Sequence, residues 1–571
     1  MKSGGVVVSC LIIVGIFGTP STAEYFTSTS HLKMLLKSEQ QLAYKLKDFI
    51  SFEERRINKL RKFYEKIEFL EKLTSTRDIN SYVGHPVQAF LTLRRMVKDW
   101  PALLERTTSN KEKNFQSLIE ENNYMFPTSE DMEGAKDALL RLQETFSLSA
   151  HEIVEGISKD VPIAKLGAED AFDIGRKTYL QSKHDVTTGW MREALRLLEV
   201  NRGVNDGAPT RYEVLDHLAW SEYVSNDVKS AFKHAQELLK LDPENERFKS
   251  NVRAFWKEMN ETVNSNEEEN VSNQTRKAKK QRKRKYPRFY YTSDEDEHVR
   301  YFMEKKRSHE LCRGETEPIP KRHTSQLVCW YKTGHPLLVL KPAKVERVFP
   351  KPEILLFRDA ISDNEIEKVK ILAHPLLQRA TVHNPVTGKL EFAHYRTSKS
   401  AWLDESHDEL VEVMNRRIDA YTGLNMETAE KLQVANYGMG GHYETHFDFA
   451  RTVPLHPPPW KNRSDYTMRT KAKEREMLKE NGNRIATVLF YMSDVERGGA
   501  TVFTNIGQAV KPSKGDAVFW FNLHHDGTGD YDTRHAACPV LLGEKWVSNR
   551  WIHEHGQEFR RPCKLNLDDN N

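Results

Sequence analysis

The chain has 571 residues, of which 86 are basic and 82 acidic, leaving a formal charge of +4. That length accommodates several domains, each with its own core. The near cancellation of charge removes the broad basic character that would imply a nucleic-acid partner. Residues 1–23 read as a secretory signal peptide, with a charged start at Met1-Lys2, an apolar run from Val6 to Phe17 and small residues up to Ala23. The run is too short to span a bilayer comfortably and no second one follows, so no membrane span is expected. With Cys10 lost in the leader, Cys312, Cys329, Cys538 and Cys563 remain, an even set for an oxidising lumen. Local pairing, Cys312 with Cys329 and Cys538 with Cys563, is the simplest of three connectivities, and a four-thiolate zinc site lacks any CxxC spacing. Glycosylation sequons stand at Asn260, Asn270, Asn273 and Asn462.

Residues 24–148 form a helical region. From about 30 to 72 one long helix is predicted, with Leu32, Leu35, Leu42, Leu46 and Phe49, then Ile50, Ile57, Leu60, Tyr64 and Ile67, recurring at steps of three, four and seven. Such a stripe requires a partner, either within its own domain through Leu91, Leu93, Leu103, Leu104 and Leu118 or on a second copy of the chain. Residues 149–256 change to paired shorter amphipathic helices, Asp170 to Tyr179, Gly189 to Leu198, Tyr212 to Tyr223 and Val228 to Leu241, punctuated by turn residues such as Asp185, Gly207 and Pro209. The second pair resembles a tetratricopeptide unit. Stacked helical hairpins make a concave surface, and aromatics on it would hold an extended proline-rich peptide, whose polyproline II shape is already formed. Tyr179, Trp190, Tyr212, Trp220 and Tyr223 are the candidates, each competing with a place in the core. Residues 257–310 read as a charged linker, basic at 276–285 and acidic at 294–297, without apolar periodicity. In a secreted chain a solvated, protease-sensitive linker outweighs a nuclear signal or an RNA-binding arm.

Residues 311–571 have a different texture: short β-rich runs such as PEILLFRDA, KLQVANYG, RIATVLFYMS, DAVFWFNL and KWVSNRWIHE, broken by Gly, Pro and Asp. Helices are predicted at Ser362 to His374 and Glu405 to Thr422. The expected architecture is an antiparallel jelly roll, which makes the whole chain a multidomain α+β protein: a long-helix domain, a TPR-like domain and a double-stranded β-helix. His446 and Asp448 stand two apart, so in an extended strand they share a face and can grip one metal ion. A third ligand must come from a strand distant in sequence, and His535 in TRHAACPV, followed by Lys545 in GEKWVSNRW, fits that requirement. Two imidazoles and one carboxylate leave coordination positions open, which suits ferrous iron with O2 and a chelating co-substrate better than a closed zinc site. His442 is four residues from His446, and on a strand that separation is about 13 Å, too far for one ion. His524, His525 and His555 are expected at the surface or behind the ligands.

The blocks around His446-Phe447-Asp448, GNRIATVLFYMSDVERGGATVF, KGDAVFWFN and GDYDTRHAACPVLLGEKWVSNRWIHEHGQEFRRPC resemble the catalytic region of the collagen prolyl 4-hydroxylase α-subunit family. The long helix, the helical peptide-binding region and the cysteine spacings extend the resemblance over essentially the whole mature chain. It implies iron ligands at His446, Asp448 and His535, with Lys545 on the distal carboxylate of 2-oxoglutarate. It also implies a co-substrate or decarboxylation role for His553, with Tyr437 a neighbour in the same pocket. The implied reaction is 4-hydroxylation of proline in X-Pro-Gly sequences of collagen-like chains, consuming 2-oxoglutarate and O2, releasing succinate and CO2, with ascorbate maintaining Fe(2+). The implied setting is the endoplasmic reticulum lumen, in an α2β2 tetramer whose protein disulfide isomerase β subunit supplies retention, since no KDEL-like sequence is present. The chain departs from the family in placing His217 and Trp220, within VLDHLAWSEY, where tyrosines are expected. The stretch from Thr452 to Arg484, carrying LHPPPW, is expected to cover the substrate channel. Two other classes stay open on residues alone: a collagen-binding chaperone without turnover, and an oxygenase of the same fold acting on lysine or another secreted protein.

Overall fold

A computed structural model describes residues 47, 51, 54–72, 79–107, 129–157, 165–202, 207–269, 297–383, 390–392, 395–450 and 481–564. The expected signal peptide, the first half of the long helix, most of the loop 452–484, the basic run, and the sequons Asn270, Asn273 and Asn462 lie outside those residues. The chain divides into two units, Met1–Asp78 and Ile79–Asn571. In the first, residues 54–72 are helical, with Ile57 and Tyr64 exposed and Leu60 and Ile67 half-buried. Lys72 and Glu68 pair on its outer face at 3.2 Å.

The second unit opens with a short helix at Ile79–Val83, followed by α1 (Pro86–Arg94), which runs on through a π turn at Arg95–Asp99 into a helix at Trp100–Thr107, and then by α2 (Ser129–Phe146) and α3 (Ala150–Glu155). Ser149 and Glu152 cap α3 reciprocally at its start, and Gly156 ends it in the left-handed region at φ 101°. The paired helices are α4 (Ala168–Leu180), α5 (His184–Glu199), α6 (Arg211–Val224), α7 (Val228–Leu241) and α8 (Glu246–Glu269). A capping box of Thr210 and Glu213 starts α6. Asp185, expected in a turn, lies instead in the first turn of α5, where a carboxylate favours the helix dipole. Phe90, Leu139, Ile153, Ile174, Trp190 and Met191 form one apolar core shared by α1, α2, α3, α4 and α5.

The predicted linker 257–310 is largely helical at both ends among the described residues. Phe255 is buried against Val228, Ala231 and Ala235, which carries α8 past residue 256. At the far end α9 (Glu297–Cys312) buries Leu311 beside Val502 and Ala536, and its Glu304 forms a forked pair with Arg534. Charge composition concealed these anchors because each helix needs only one or two apolar residues to dock.

The C-terminal part is built on two large antiparallel sheets, with two small two-stranded pairs beside them, Arg497–Gly498 with Val540–Leu542 and Thr381–His383 with Leu390–Phe392. The strands are β1 (Cys329–Lys332), β2 (Ala343–Pro350), β3 (Glu353–Arg358), β4 (Gln378–Arg379), β5 (Arg396–Thr397), β6 (Lys399–Leu403), β7 (Leu432–Tyr437) and β8 (His442–His446). They continue as β9 (Arg484–Tyr491), β10 (Thr501–Phe503), β11 (Gln508–Val510), β12 (Ala517–Phe521), β13 (His535–Ala537), β14 (Val540–Leu542) and β15 (Lys545–His553). Nine pair in the order β1-β2-β3-β12-β9-β15-β7-β6-β4, and five in the order β11-β10-β13-β8-β5. Tyr437, Tyr491, Trp520 and Val547 of the larger sheet meet Phe503 and Val510 of the smaller one. The outer face of the larger sheet is covered by α10 (Asp363–Ala373) and α11 (Glu409–Thr422), through Ile366, Val369, Met414 and Ile418. Strand β15 lies at the centre, its residues from Lys545 to Ile552 all buried, as expected for a strand covered on both faces.

The expected cysteine pairing is corrected. Cys312 is bonded to Cys538, with Cα atoms 5.5 Å apart, while Cys329 and Cys563 are exposed and free. The reason is the docking of α9: Cys312 and Cys538 fall in one apolar cluster, whereas Cys329 opens the edge strand β1.

Candidate active site

Strand register brings the first two ligand candidates together. β8 and β13 are antiparallel neighbours in which His446 and His535 are Cα partners, and their rings lie 4.3 Å apart. β8 ends at His446, and Asp448 follows in a bend rather than in the strand. Phe447 and Phe449 pack edge-on against Tyr531, anchoring that bend. Asp448 lies 3.7 Å from Nε2 of each histidine, through separate carboxylate oxygens. The three ligand atoms are all within 4.8 Å of one another, and no other group of three or more His, Cys, Asp or Glu side chains among the described residues is arranged to hold a metal ion.

The groups behind the triad fix its orientation. Nδ1 of His446 bonds the carbonyl of Glu444 at 2.8 Å, and Nδ1 of His535 bonds that of Thr533 at 2.9 Å. Each ring therefore carries its proton on Nδ1 and presents the Nε2 lone pair to the centre. Thr487 on β9 donates its hydroxyl to Asp448 Oδ2 at 2.7 Å and accepts from Asn522 at 2.9 Å, whose own carbonyl takes the Trp520 indole N–H at 2.8 Å. Burial, together with the neighbouring His535, holds His446 well below the ordinary histidine range, so it stands neutral as a ligand must. Burial alone would raise Asp448, but His535, His446, Arg484 and the Thr487 hydroxyl outweigh it and keep the carboxylate ionised. Tyr443 stacks on His446 at 3.6 Å, while Trp520 and Phe503 flank His535 at 4.9 and 5.9 Å. Two imidazoles and one carboxylate converging in an aromatic-walled position, each imidazole with Nδ1 taken by a backbone carbonyl, fit a divalent iron centre with open coordination positions.

Lys545 and Tyr437 are Cα partners across β15 and β7. The Lys545 side chain is only 1% exposed, and burial pushes its amine down to about 7. Its Nζ faces the rings of Tyr437 at 5.6 Å and Tyr491 at 5.9 Å, and no carboxylate of the described residues offsets it. A buried amine so placed is a receptor for an anion. His553, at the other end of β15, is turned toward Glu430 and the Gly482 carbonyl, at 3.1 and 2.8 Å. Glu430 also binds Arg484, which stacks over Trp551 at 4.2 Å and donates to the Asp448 carbonyl at 3.3 Å. Thr487, Asn522, Arg484 and Glu430 were not singled out from sequence. The available signal was a polar residue, Thr487, inside the apolar run of RIATVLFY.

The aromatics expected to face a peptide divide. Trp190 is fully buried and donates its indole N–H to Gln143 at 2.9 Å, so it belongs to the core and is withdrawn from the surface set. Tyr223 is held by the Phe255 ring at 4.3 Å and by Glu258 at 2.7 Å. Tyr179 is half-buried, edge-on to His217 at 4.8 Å and His184 at 5.6 Å, with Phe172 on the other side of His217. Tyr212 meets Phe248, and Trp220 is exposed on α6 one turn beyond His217. Asn260 lies half-buried within α8.

Comparisons with known proteins cover the same regions. The family model for the prolyl 4-hydroxylase α-subunit N-terminal region matches residues 28–160, that for the prolyl 4-hydroxylase peptide-substrate-binding domain 168–261, and that for the 2OG-Fe(II) oxygenase superfamily 432–553. Prolyl 4-hydroxylase subunit alpha-1 of Homo sapiens is 42% identical over 567 residues, 97% of this chain and 98% of the relative. The subunit alpha-1 of Gallus gallus is 42% identical over 552 residues, and subunit alpha-2 of Caenorhabditis elegans 38% over 565, covering 95% and 97% of this chain and 99% and 96% of those relatives. A crystal structure of the viral collagen prolyl hydroxylase vCPH from Paramecium Bursaria Chlorella virus-1, in complex with 2OG, aligns at TM-score 0.26 and 21% identity, covering 35% of this chain and 94% of that one. Among the described residues no helix is long and apolar enough to cross a membrane.

Proposed function

The chain belongs to the family of prolyl 4-hydroxylase α subunits, and on that premise we propose that it hydroxylates C4 of proline in X-Pro-Gly sequences of collagen-like chains. His446, Asp448 and His535 hold Fe(2+), and Lys545 with Tyr437 takes the distal carboxylate of 2-oxoglutarate. The observation that carries this reading is the pairing of a converging His-Asp-His centre with a buried lysine that has no protein carboxylate of its own among the described residues. Bound there, iron with 2-oxoglutarate and O2 supplies the oxidising equivalents: one oxygen atom enters the proline C–H bond, the other enters succinate, and CO2 leaves.

The chain's own residues bind, orient and exclude water. The Lys545 ammonium fixes the far end of the co-substrate, so its keto-acid end can reach the metal in only one direction. Tyr443, Phe503 and Trp520 wall the centre against solvent. His553, held by Glu430, acts on the centre indirectly, through the Glu430–Arg484 pair that reaches the Asp448 carbonyl. The α4–α7 surface around Tyr179, Tyr212, His217 and Trp220 binds the substrate chain, and ascorbate returns iron oxidised in uncoupled turnovers. The chain acts in the endoplasmic reticulum lumen, pairs through residues 24–148 and joins a protein disulfide isomerase β subunit in an α2β2 tetramer. Incubating that purified assembly with iron, labelled 2-oxoglutarate and a (Pro-Pro-Gly) peptide tests the reading. Labelled CO2 with 4-hydroxyproline is expected, binding without CO2 points to a chaperone, and CO2 that appears only with another acceptor changes the substrate.

A further inference from the structure

The residues that flank the co-substrate pocket lie at strand ends, and both adjoining turns are gripped from outside the β-sandwich. After Tyr437 the chain turns through Gly438 to Gly441 into β8, the strand that ends at His446. Arg141 of α2 donates from Nε to the carbonyl of Gly440 in that turn at 2.9 Å. Gly440 adopts φ 61° and lies so close to α2 that a Cβ would come within 2.9 Å of Ala138 Cβ and 3.0 Å of the Ala138 carbonyl. Met439 packs against the same helix, beside Leu142, Leu541 and Leu542. The second turn, at Gly543, immediately precedes Lys545. Gly543 donates its N–H to the carbonyl of Gly84 at 2.8 Å, and a Cβ on Gly84 would lie 2.7 Å from the Gly543 carbonyl carbon. Such close backbone approach is available only to glycine.

We propose that Arg141 and Gly84 are positioning residues for 2-oxoglutarate: Gly84 and helix α2 set the two turns that place Tyr437 and Lys545 side by side. The contacts carry the argument. Lys545 and Tyr437 are register partners at the joint end of β15 and β7, so a shift of either turn moves the amine relative to the pocket. Neither turn is fixed by the sandwich alone. The Gly440 N–H is tied to Val540 at 3.0 Å, but its carbonyl is held by Arg141. The effect is a specific one, because neither Arg141 nor Gly84 belongs to the peptide-binding helices α4–α7. This inference rests on the assignment of Lys545 to the co-substrate, which a Lys545→Ala arm checks separately.

The test is steady-state kinetics on the assembled enzyme with four variants. Arg141→Ala is expected to raise KM for 2-oxoglutarate about tenfold, the equivalent of one charge-assisted hydrogen bond, and Gly84→Ala to raise it by a similar factor because its Cβ displaces Gly543, with KM for a (Pro-Pro-Gly) peptide unchanged in both. Arg141→Lys, which keeps a donor, is expected to recover most of the loss. If Arg141→Ala does not assemble, Gly84→Ala decides. Unchanged KM for 2-oxoglutarate in Arg141→Ala and Gly84→Ala, or an equal rise in both KM values, overturns the proposal. If Lys545→Ala leaves that KM unchanged, the pocket assignment is what fails; if Lys545→Ala raises it and the Arg141 and Gly84 variants do not, only the positioning role fails.

Discussion

Replacing Lys545 by Met should make the enzyme more stable and less active at once. The amine is 1% exposed, and burial lowers it from 10.5 to about 7. The unfolded chain therefore holds this proton up to about pH 10.5 and the folded chain only up to about pH 7, so between those values the unfolded state binds more protons and stability rises with pH. At about 1.4 kcal/mol per pH unit, the folded enzyme carries a penalty of roughly 4 kcal/mol at pH 7 that vanishes near pH 10.5. Methionine fills a similar volume without charge. The catalytic transition, followed through the buried Trp520, Trp546 and Trp551, should rise by on the order of 5–10 °C at pH 7 in Lys545→Met, with the gain shrinking as pH approaches 10. 2-Oxoglutarate should stabilise the native enzyme more than the variant, because the carboxylate offsets the buried charge only where the charge exists. A variant that melts at or below the native temperature, or a gain independent of pH, would refute the claim that Lys545 is an uncompensated buried cation.

Four further substitutions have expected outcomes. Thr487→Val removes the hydroxyl from Asp448 and strands the Asn522 amide, so ferrous affinity should fall 10–100-fold and recover with excess iron; an unchanged iron titration would remove Thr487 from the centre. Tyr179→Ala should raise KM for (Pro-Pro-Gly) peptides and leave that for 2-oxoglutarate alone. Trp190→Ala should instead cost about 3–5 kcal/mol of stability in the helical domain, read by denaturant unfolding; the reverse pattern would restore Trp190 to the peptide surface. Glu430 is opposed by burial but held at about 2 by His553 and Arg484. Its stabilising contribution is present above the ordinary value of 4.5 and is lost as pH falls toward 2. Glu430→Ala should cost about 3 kcal/mol at neutral pH by removing the carboxylate partner of half-buried Arg484, with the difference from native closing in acid; a pH-independent difference would argue against the ion pair.

Period and spacing made some parts of this architecture legible and not others. The four amphipathic helices from α4 to α7 could be read because each buries one continuous face, and the strands because apolar runs ended at Gly, Pro or Asp. The iron triad was legible by resemblance and by its residue types. The bend at Asp448 was not, since it depends on Phe447 and Phe449 meeting Tyr531, far away in sequence. Cysteine pairing failed as a reading because sequence distance is a poor guide once α9 folds back onto β13. Trp190 was misread for a related reason: a tryptophan at helical spacing serves a core and a groove equally well until its neighbours are known. The ends of the linker were missed because docking there rests on single apolar residues, Phe255 and Leu311, within highly charged segments.

The facing pair His446 and His535 also makes the metal centre a proofreader of the sheet. Because successive side chains on a strand point to opposite faces, a slip of one residue between β8 and β13 would turn one imidazole away and destroy the ligand set. Iron captured by a newly made chain is then a report that this pairing has closed correctly, and molecules trapped in the wrong alignment would be recognisable as protein that never loads its metal.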